Sequence, residues 1–134
     1  MSDGEYLFLS LEDVLELHEM QLAQYGGAVG IRDLGLLESA VMMPQASFGG
    51  ELVHRGIYEM AAAYAFHIAE NQPFIDGNKR AALAAALIFL DWNHVEIEDP
   101  REELYHAMIG IAEKRVDKTK LAKILEKLAR SYPE

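Results

Sequence analysis

The sequence contains no cysteine. This excludes disulfide frameworks, thiolate metal sites and thiol nucleophiles, and it agrees with a reducing compartment. Long apolar runs are missing as well: the longest, Ala81 to Leu90, is half the ~20 residues a membrane-spanning helix needs. No membrane crossing is therefore expected. Positive charge is scarce, with 12 basic against 22 acidic residues and a formal charge of −10. Such a surface repels polyanions, so no general nucleic-acid binding is expected, and any bound anion must be held by a local group of donors. The opening stretch MSDGEYLFLS has no basic segment followed by an apolar core and a small-residue cleavage site, so no signal peptide is expected and a cytoplasmic location is.

What is present suffices for one ordinary domain over residues 1–134, since 51% hydrophobic content can bury a core without metals or disulfides. The apolar spacing predicts helices throughout. Ser10 with Asp13 three residues on, and Leu9 with Val14, form a capping box and hydrophobic staple for a first helix that carries Leu11, Val14, Leu15, His18 and Leu22 and stops at Gly26-Gly27. Asp33 caps a second helix carrying Leu34, Leu37, Ala40 and Val41, which Pro44 closes. The stretch from Pro44 to Arg55 reads as the longest irregular loop, either functional or a plain connection.

A third helix follows from Ile57, Met60, Ala61, Tyr64, Ala65 and Ile68, and ends before Pro73, which puts Gln72 at the helix exit where its side chain can face a cleft. Asp76-Gly77 is a turn signal, and Asn78 is placed to cap a helix beginning at Lys79. That helix is apolar on every face from Ala81 to Leu90, with five alanines, and is expected to be the central one. Val95 to Glu98 alternates but is too short to carry a sheet and reads as a connector. Asp99, Pro100 and Glu102 predict a helix with proline at its first position, carrying Leu104, Met108 and Ile111. Asp117 caps a last helix that buries Leu121, Ile124, Leu125 and Leu128 and turns its lysines to solvent. No internal repeat or low-complexity linker is visible.

The segment Gln72 to Arg80 gathers the requirements of a phosphate site within nine residues. Gly77 permits positive φ and close backbone approach, and the following helix directs unpaired N–H groups and a positive dipole end to the same spot. Arg80 can hold two phosphate oxygens at once, Lys79 adds a mobile charge, and Asp76 offers a hard oxygen for magnesium. The competing account is a turn and cap followed by two solvated cations. Cations suit a helix N-terminus poorly, where the dipole is already positive, and two in succession favour an expected anion.

At this point the chain resembles a known family. Fic/Doc proteins carry H-x-F-x-D/E-G/A-N-G/K-R at a loop between two helices, ahead of a buried helix; Phe74, Asp76, Gly77, Asn78, Lys79 and Arg80 match in type and spacing. Upstream, Phe8 to Glu12, Tyr25-Gly-Gly27 and Arg32 to Ala40 look like the amino-terminal half of death-on-curing (Doc) proteins. The resemblance covers residues 6 to 98 well and the last two helices loosely. It implies an all-α, single-domain Fic/Doc-like helical bundle around a central buried apolar helix at about 80–93. It further implies that Asp76 coordinates Mg2+, that Gly77, Asn78 and Lys79 help form the anion-binding loop, that Arg80 holds nucleotide phosphate, and that Phe74 anchors the loop.

The activity implied is that of a type II toxin that transfers phosphate from ATP to a hydroxyl of a translation elongation factor, with a cognate antitoxin whose helical segment lies in an apolar groove. AMP transfer is the alternative: the family's AMP-transferring members resemble this chain less, because they carry glycine at the position of Lys79 and usually arginine at that of Leu83.

One departure weighs against the matches. Where the family has a histidine that takes the proton from the target hydroxyl, this chain has Gln72. An amide does not accept that proton, and losing a general base typically costs about 10² to 10⁴ in rate. His67 does not replace it, since five residues along a helix turn it about 140° from Gln72. It reads as a packed or partly exposed helix histidine, and so do His18, His54, His94 and His106, no two of which show metal-ligand spacing. Three explanations stay open: a branch using glutamine to orient the acceptor, a nucleotide binder without turnover, or an inactivating change acquired because the active toxin harms its host.

Overall fold

Helix α1, Leu11–Tyr25, starts where the local chemistry says it should. The Ser10 hydroxyl accepts from the Asp13 amide at 3.1 Å while Asp13 accepts from the Ser10 amide at 2.8 Å, and Leu9 and Val14 are buried. Helix α2, Leu34–Met42, is capped by Asp33, which accepts from Leu36 N, and α6, Lys118–Leu128, by Asp117, which accepts from Lys120 N. Between them run α3, Ile57–Asn71, α4, Asn78–Trp92, and α5, Glu103–Ala112. This computed structural model describes residues 6–129; residues 1–5, on which the signal-peptide expectation partly rests, lie outside them. The fold is all-α apart from one small hairpin. Among the described residues no helix is long and apolar enough to cross a membrane.

The element at the centre is α3, which corrects the expectation for α4. Eight residues of α3 are buried, and α2, α4, α5, α6 and the 3-10 turn Met43–Gln45 all pack against it. Helix α4 lies between α3 and α1 and buries Ala81, Ala82, Ala85, Ala86, Phe89 and Leu90, whereas Leu83, Leu87 and Ile88 are half-buried. The physical reason is that an apolar stretch is not buried all round unless neighbours exist on every side. The alanines instead let α4 sit close to α3, and the leucine face lines an open groove of about 440 Å³ with Val95, Ile97 and Tyr105.

Two further expectations change. The stretch from Pro44 to Arg55 is not wholly irregular: Ser47–Phe48 (β1) pairs antiparallel with Glu51–Leu52 (β2) across Gly49-Gly50, both at positive φ. Pro100 does not open α5. It sits in a turn, Glu102 adopts φ 55°, and Asp99 reaches across to accept from Glu103 N at 2.8 Å and Leu104 N at 2.9 Å. The cap is the expected aspartate, but it acts over four and five residues. The connector at Val95 to Glu98 is extended and bridges α6, with Glu98 N donating to Leu128 O.

Two buried polar side chains fix the strand-like lead into α1. The Tyr64 hydroxyl accepts from Leu9 N at 2.8 Å, and Asn93 accepts from Leu7 N while donating to Leu7 O and Phe89 O. Burial drives the Tyr64 phenol upward from its ordinary value. Helix α1 is thereby held against α4, with consequences for the loop between α3 and α4.

Candidate functional site

Helix α3 ends at Asn71 because Pro73 bars the right-handed region to the residue before it. Gln72 takes up φ 46°, ψ 56°, a left-handed conformation that costs a side-chain-bearing residue roughly 1 kcal/mol. Arg32 meets this exit: its Nε donates to Gln72 O and its Nη2 to Asn71 O, both at 2.7 Å. Gln72 itself points outward and is exposed.

The loop then turns on Phe74, which is 1% exposed. Asn78 does not cap α4, contrary to its sequence signal. Its Oδ1 accepts from Phe74 N at 2.9 Å and its Nδ2 donates to Phe74 O at 3.0 Å, so the amide closes the loop on itself from inside the first helical turn. The helix is entered through Gly77 at φ 77°, and no side chain caps it. A cap would occupy the amides that the loop leaves open: among the described residues the backbone N–H groups of Asn78, Lys79 and Arg80 have no acceptor.

His18 of α1 supports this loop from below. Buried to 4% exposure, its ring stacks on Phe74 at 3.6 Å and 6° and its Nε2 donates to Asp76 O at 2.8 Å. The hydrogen bond to a carbonyl fixes a proton on Nε2. Sequence reasoning gave His18 a packing role only. The available signal was its position among Leu11, Val14, Leu15 and Leu22, where a buried imidazole requires a polar partner.

The Asp76 carboxylate is fixed from two directions. Gly77 N donates to Oδ1 at 2.8 Å, and Ala28 N, from the turn after α1, donates to Oδ2 at 3.1 Å. The Ala28 and Gly77 amides hold the carboxyl below its ordinary range, desolvation opposes this, and Arg80 and His18 add to the lowering more weakly. Gly27, at φ 126°, makes the approach feasible: a Cβ there would lie 2.9 Å from Asp76 Oδ2 and 2.9 Å from Leu22 Cδ2. The Tyr25-Gly-Gly27 turn is thus part of the site.

Lys79 and Arg80 are exposed at the start of α4. Among the described residues neither forms an ion pair, and the Arg80 guanidinium rests 4.7 Å from the centre of the Tyr25 ring. Asp76, Gly77, Asn78, Lys79 and Arg80 therefore come together around one helix N-terminus on an open shelf. The groove along the Leu83 and Leu87 face of α4 shares no residue with them. His67 is elsewhere, hydrogen-bonded to Lys118. Among the described residues no three His, Asp or Glu side chains gather as metal ligands. A metal at the ionised Asp76 would complete its shell with substrate oxygens and water, which is how magnesium is commonly held with phosphates.

A family model described as the Fic/DOC family matches residues 8–90. The chain is 40% identical over 90 residues to the Toxin Doc of Mycolicibacterium smegmatis, an alignment covering 67% of each chain. It is 32% identical over 120 residues to the Protein kinase doc of Escherichia phage P1, covering 90% of this chain and 94% of the phage protein.

Proposed function

The chain belongs to the Fic/DOC family, among its Doc toxins, and on that premise we propose that it transfers the terminal phosphate of ATP to a hydroxyl of a translation elongation factor. The observation that carries this reading is the shelf at the start of α4, where open amides, Lys79 and Arg80 stand beside a fixed, ionised Asp76. It is a cytoplasmic, type II toxin, held in check by a cognate antitoxin.

The residues divide the work as follows. The amides of Asn78 to Arg80 and the Arg80 guanidinium bind the β- and γ-phosphate oxygens, and Lys79 adds charge at the edge. Asp76 would hold Mg2+, which when bound would supply charge neutralisation on the phosphates. The acceptor hydroxyl oxygen forms a bond to the γ-phosphorus as the bond to the bridging oxygen breaks and ADP leaves. The hydroxyl proton goes to solvent, because Gln72 orients the acceptor without taking the proton. The rate is therefore low. The name of the phage relative, a protein kinase, agrees with phosphate transfer, and Lys79 and Leu83 speak against AMP transfer.

A second reading, nucleotide binding without turnover, is favoured by one specific observation, the glutamine at position 72. Incubation of the chain and its Gln72→His variant with elongation factor and ATP labelled at the terminal or the α phosphate separates the alternatives. Terminal label on the factor, raised about 10² to 10⁴-fold by Gln72→His, supports phosphate transfer. Label only from the α position identifies AMP transfer, and magnesium-dependent ATP binding with no labelled product in either variant identifies the binder.

A further inference from the structure

We propose that Arg32 is a positioning residue that sets the direction in which residue 72 presents its side chain to the acceptor, by clamping the carbonyl of Asn71 at the end of α3 and that of Gln72 just after it. This rests on the transferase reading above.

The observations converge on backbone atoms. Gln72 holds φ 46° although it is neither glycine nor asparagine, the residues that normally end helices in this conformation. Something must therefore hold it there. Nε and Nη2 of Arg32 reach Gln72 O and Asn71 O at equal distances of 2.7 Å. Such a pair suits the planar fork of a guanidinium, which a lysine ammonium does not reproduce. A cation is also favourable at a helix C-terminus.

The clamp is itself anchored. Arg32 N and Asp33 N both donate to Pro73 O, at 2.6 and 3.0 Å, and Asn71 Nδ2 donates to Leu36 O at 3.0 Å. Residues 32–33 and 71–73 are thus stitched together on both sides of position 72. Among the described residues Arg32 has no carboxylate partner, and the Gln72 side chain has no hydrogen bond of its own. The charge of Arg32 is spent on aiming a backbone, and that aim is independent of which side chain stands at 72.

The test uses the full chain carrying Gln72→His, with ATP and elongation factor, comparing Arg32 with Arg32→Ala and Arg32→Lys. Misplacing a reacting group by about 1 Å costs on the order of 10²-fold. Arg32→Ala should lower kcat by that factor while leaving KM for ATP unchanged, Arg32→Lys should recover part of the loss, and added guanidinium ion should partly rescue Arg32→Ala. An unchanged kcat in Arg32→Ala overturns the proposal, as does a loss that tracks a falling melting temperature or weakened ATP binding. If Gln72→His transfers nothing, the transferase reading has failed, and Arg32 is then judged by NMR on the chain with Gln72. Backbone shifts of residue 72 that leave the left-handed range in Arg32→Ala support the clamp, and shifts that stay there overturn it.

Discussion

Mild acid should loosen this protein where α3 packs against α6. His54, in the loop before α3, and His67, in α3, are packed near Lys118 of α6, and Glu59 and Glu70 of α3 also act on them. Burial, then Lys118, then His54 push the His67 imidazole down from 6.5 to about 4, with Glu70 opposing. Burial and Lys118 lower His54 against Glu59 and against the Met43 backbone, which is near enough to influence the ring but outside hydrogen-bond geometry, since both ring nitrogens lack partners. The Lys118 ammonium donates to His67 Nε2 at 3.0 Å, a bond that requires the imidazole to be neutral.

The sign follows from proton counting. In the unfolded chain His67 takes up a proton below about pH 6.5, while in the folded chain it resists until about pH 4, so the unfolded state binds more protons in between; His54, lowered as well, acts in the same direction. The contribution of His67 to stability is complete above about 6.5 and is lost as the pH falls toward 4. For His67 alone the span amounts to ~3 kcal/mol at full strength. Water reaches part of the ring, and screening leaves on the order of 1–2 kcal/mol. That corresponds to a melting temperature lower by roughly 3–8 °C.

Thermal melts of the parent and of His67→Gln, from about pH 7.5 to about pH 4.5, check the number. Glutamine keeps an acceptor for Lys118 but does not titrate, so the parent should lose more than the variant by the amount given. Parallel curves for the two proteins, or a parent that gains stability on acidification, would refute the reasoning. The depressed carboxyl of Asp76 acts in a separate window: its contribution is present above its ordinary value of 3.8 and disappears below it.

Two other outcomes follow from the site. Gly27→Ala forces a Cβ to 2.9 Å from Asp76 Oδ2 at a φ of 126°, so the Ala28 amide withdraws from the carboxylate; isothermal calorimetry should show weaker magnesium-dependent ATP binding, and unchanged affinity would count against the role given to the glycine turn. His18→Phe keeps the stack on Phe74 but removes the donor to Asp76 O, which should cost about 1–3 kcal/mol in urea unfolding; no loss would mean that the carbonyl finds water instead.

Much of the fold was legible where the determinants are local. Ser10, Asp33 and Asp117 cap their helices through residues three positions away, a spacing visible in any sequence. The start of α5 was misread because the Asp99 cap spans an intervening turn and Glu102 takes a left-handed conformation that nothing in its neighbours announces. The centre of the fold was assigned to the most apolar helix, whereas packing selects the helix with neighbours on most sides. At the site, the run from Asp76 to Arg80 was legible because it is contiguous. Its supports were not: His18 and Ala28 reach Asp76 across 58 and 48 residues and Arg32 reaches Gln72 across 40, and a side chain meeting a distant carbonyl or amide leaves no periodic trace.

The division of those supports has a practical consequence. Among the described residues, His18, Ala28 and Arg32, which steady Asp76 and residue 72 from other elements, all precede the exposed hairpin at Ser47–Phe48 and Glu51–Leu52, and the groups they steady follow it. A chain cut at Gly49-Gly50 would separate a scaffold half from a chemical half. Neither piece would carry a finished site, and co-expressed pieces would regain it only on finding each other, so toxicity would report their encounter.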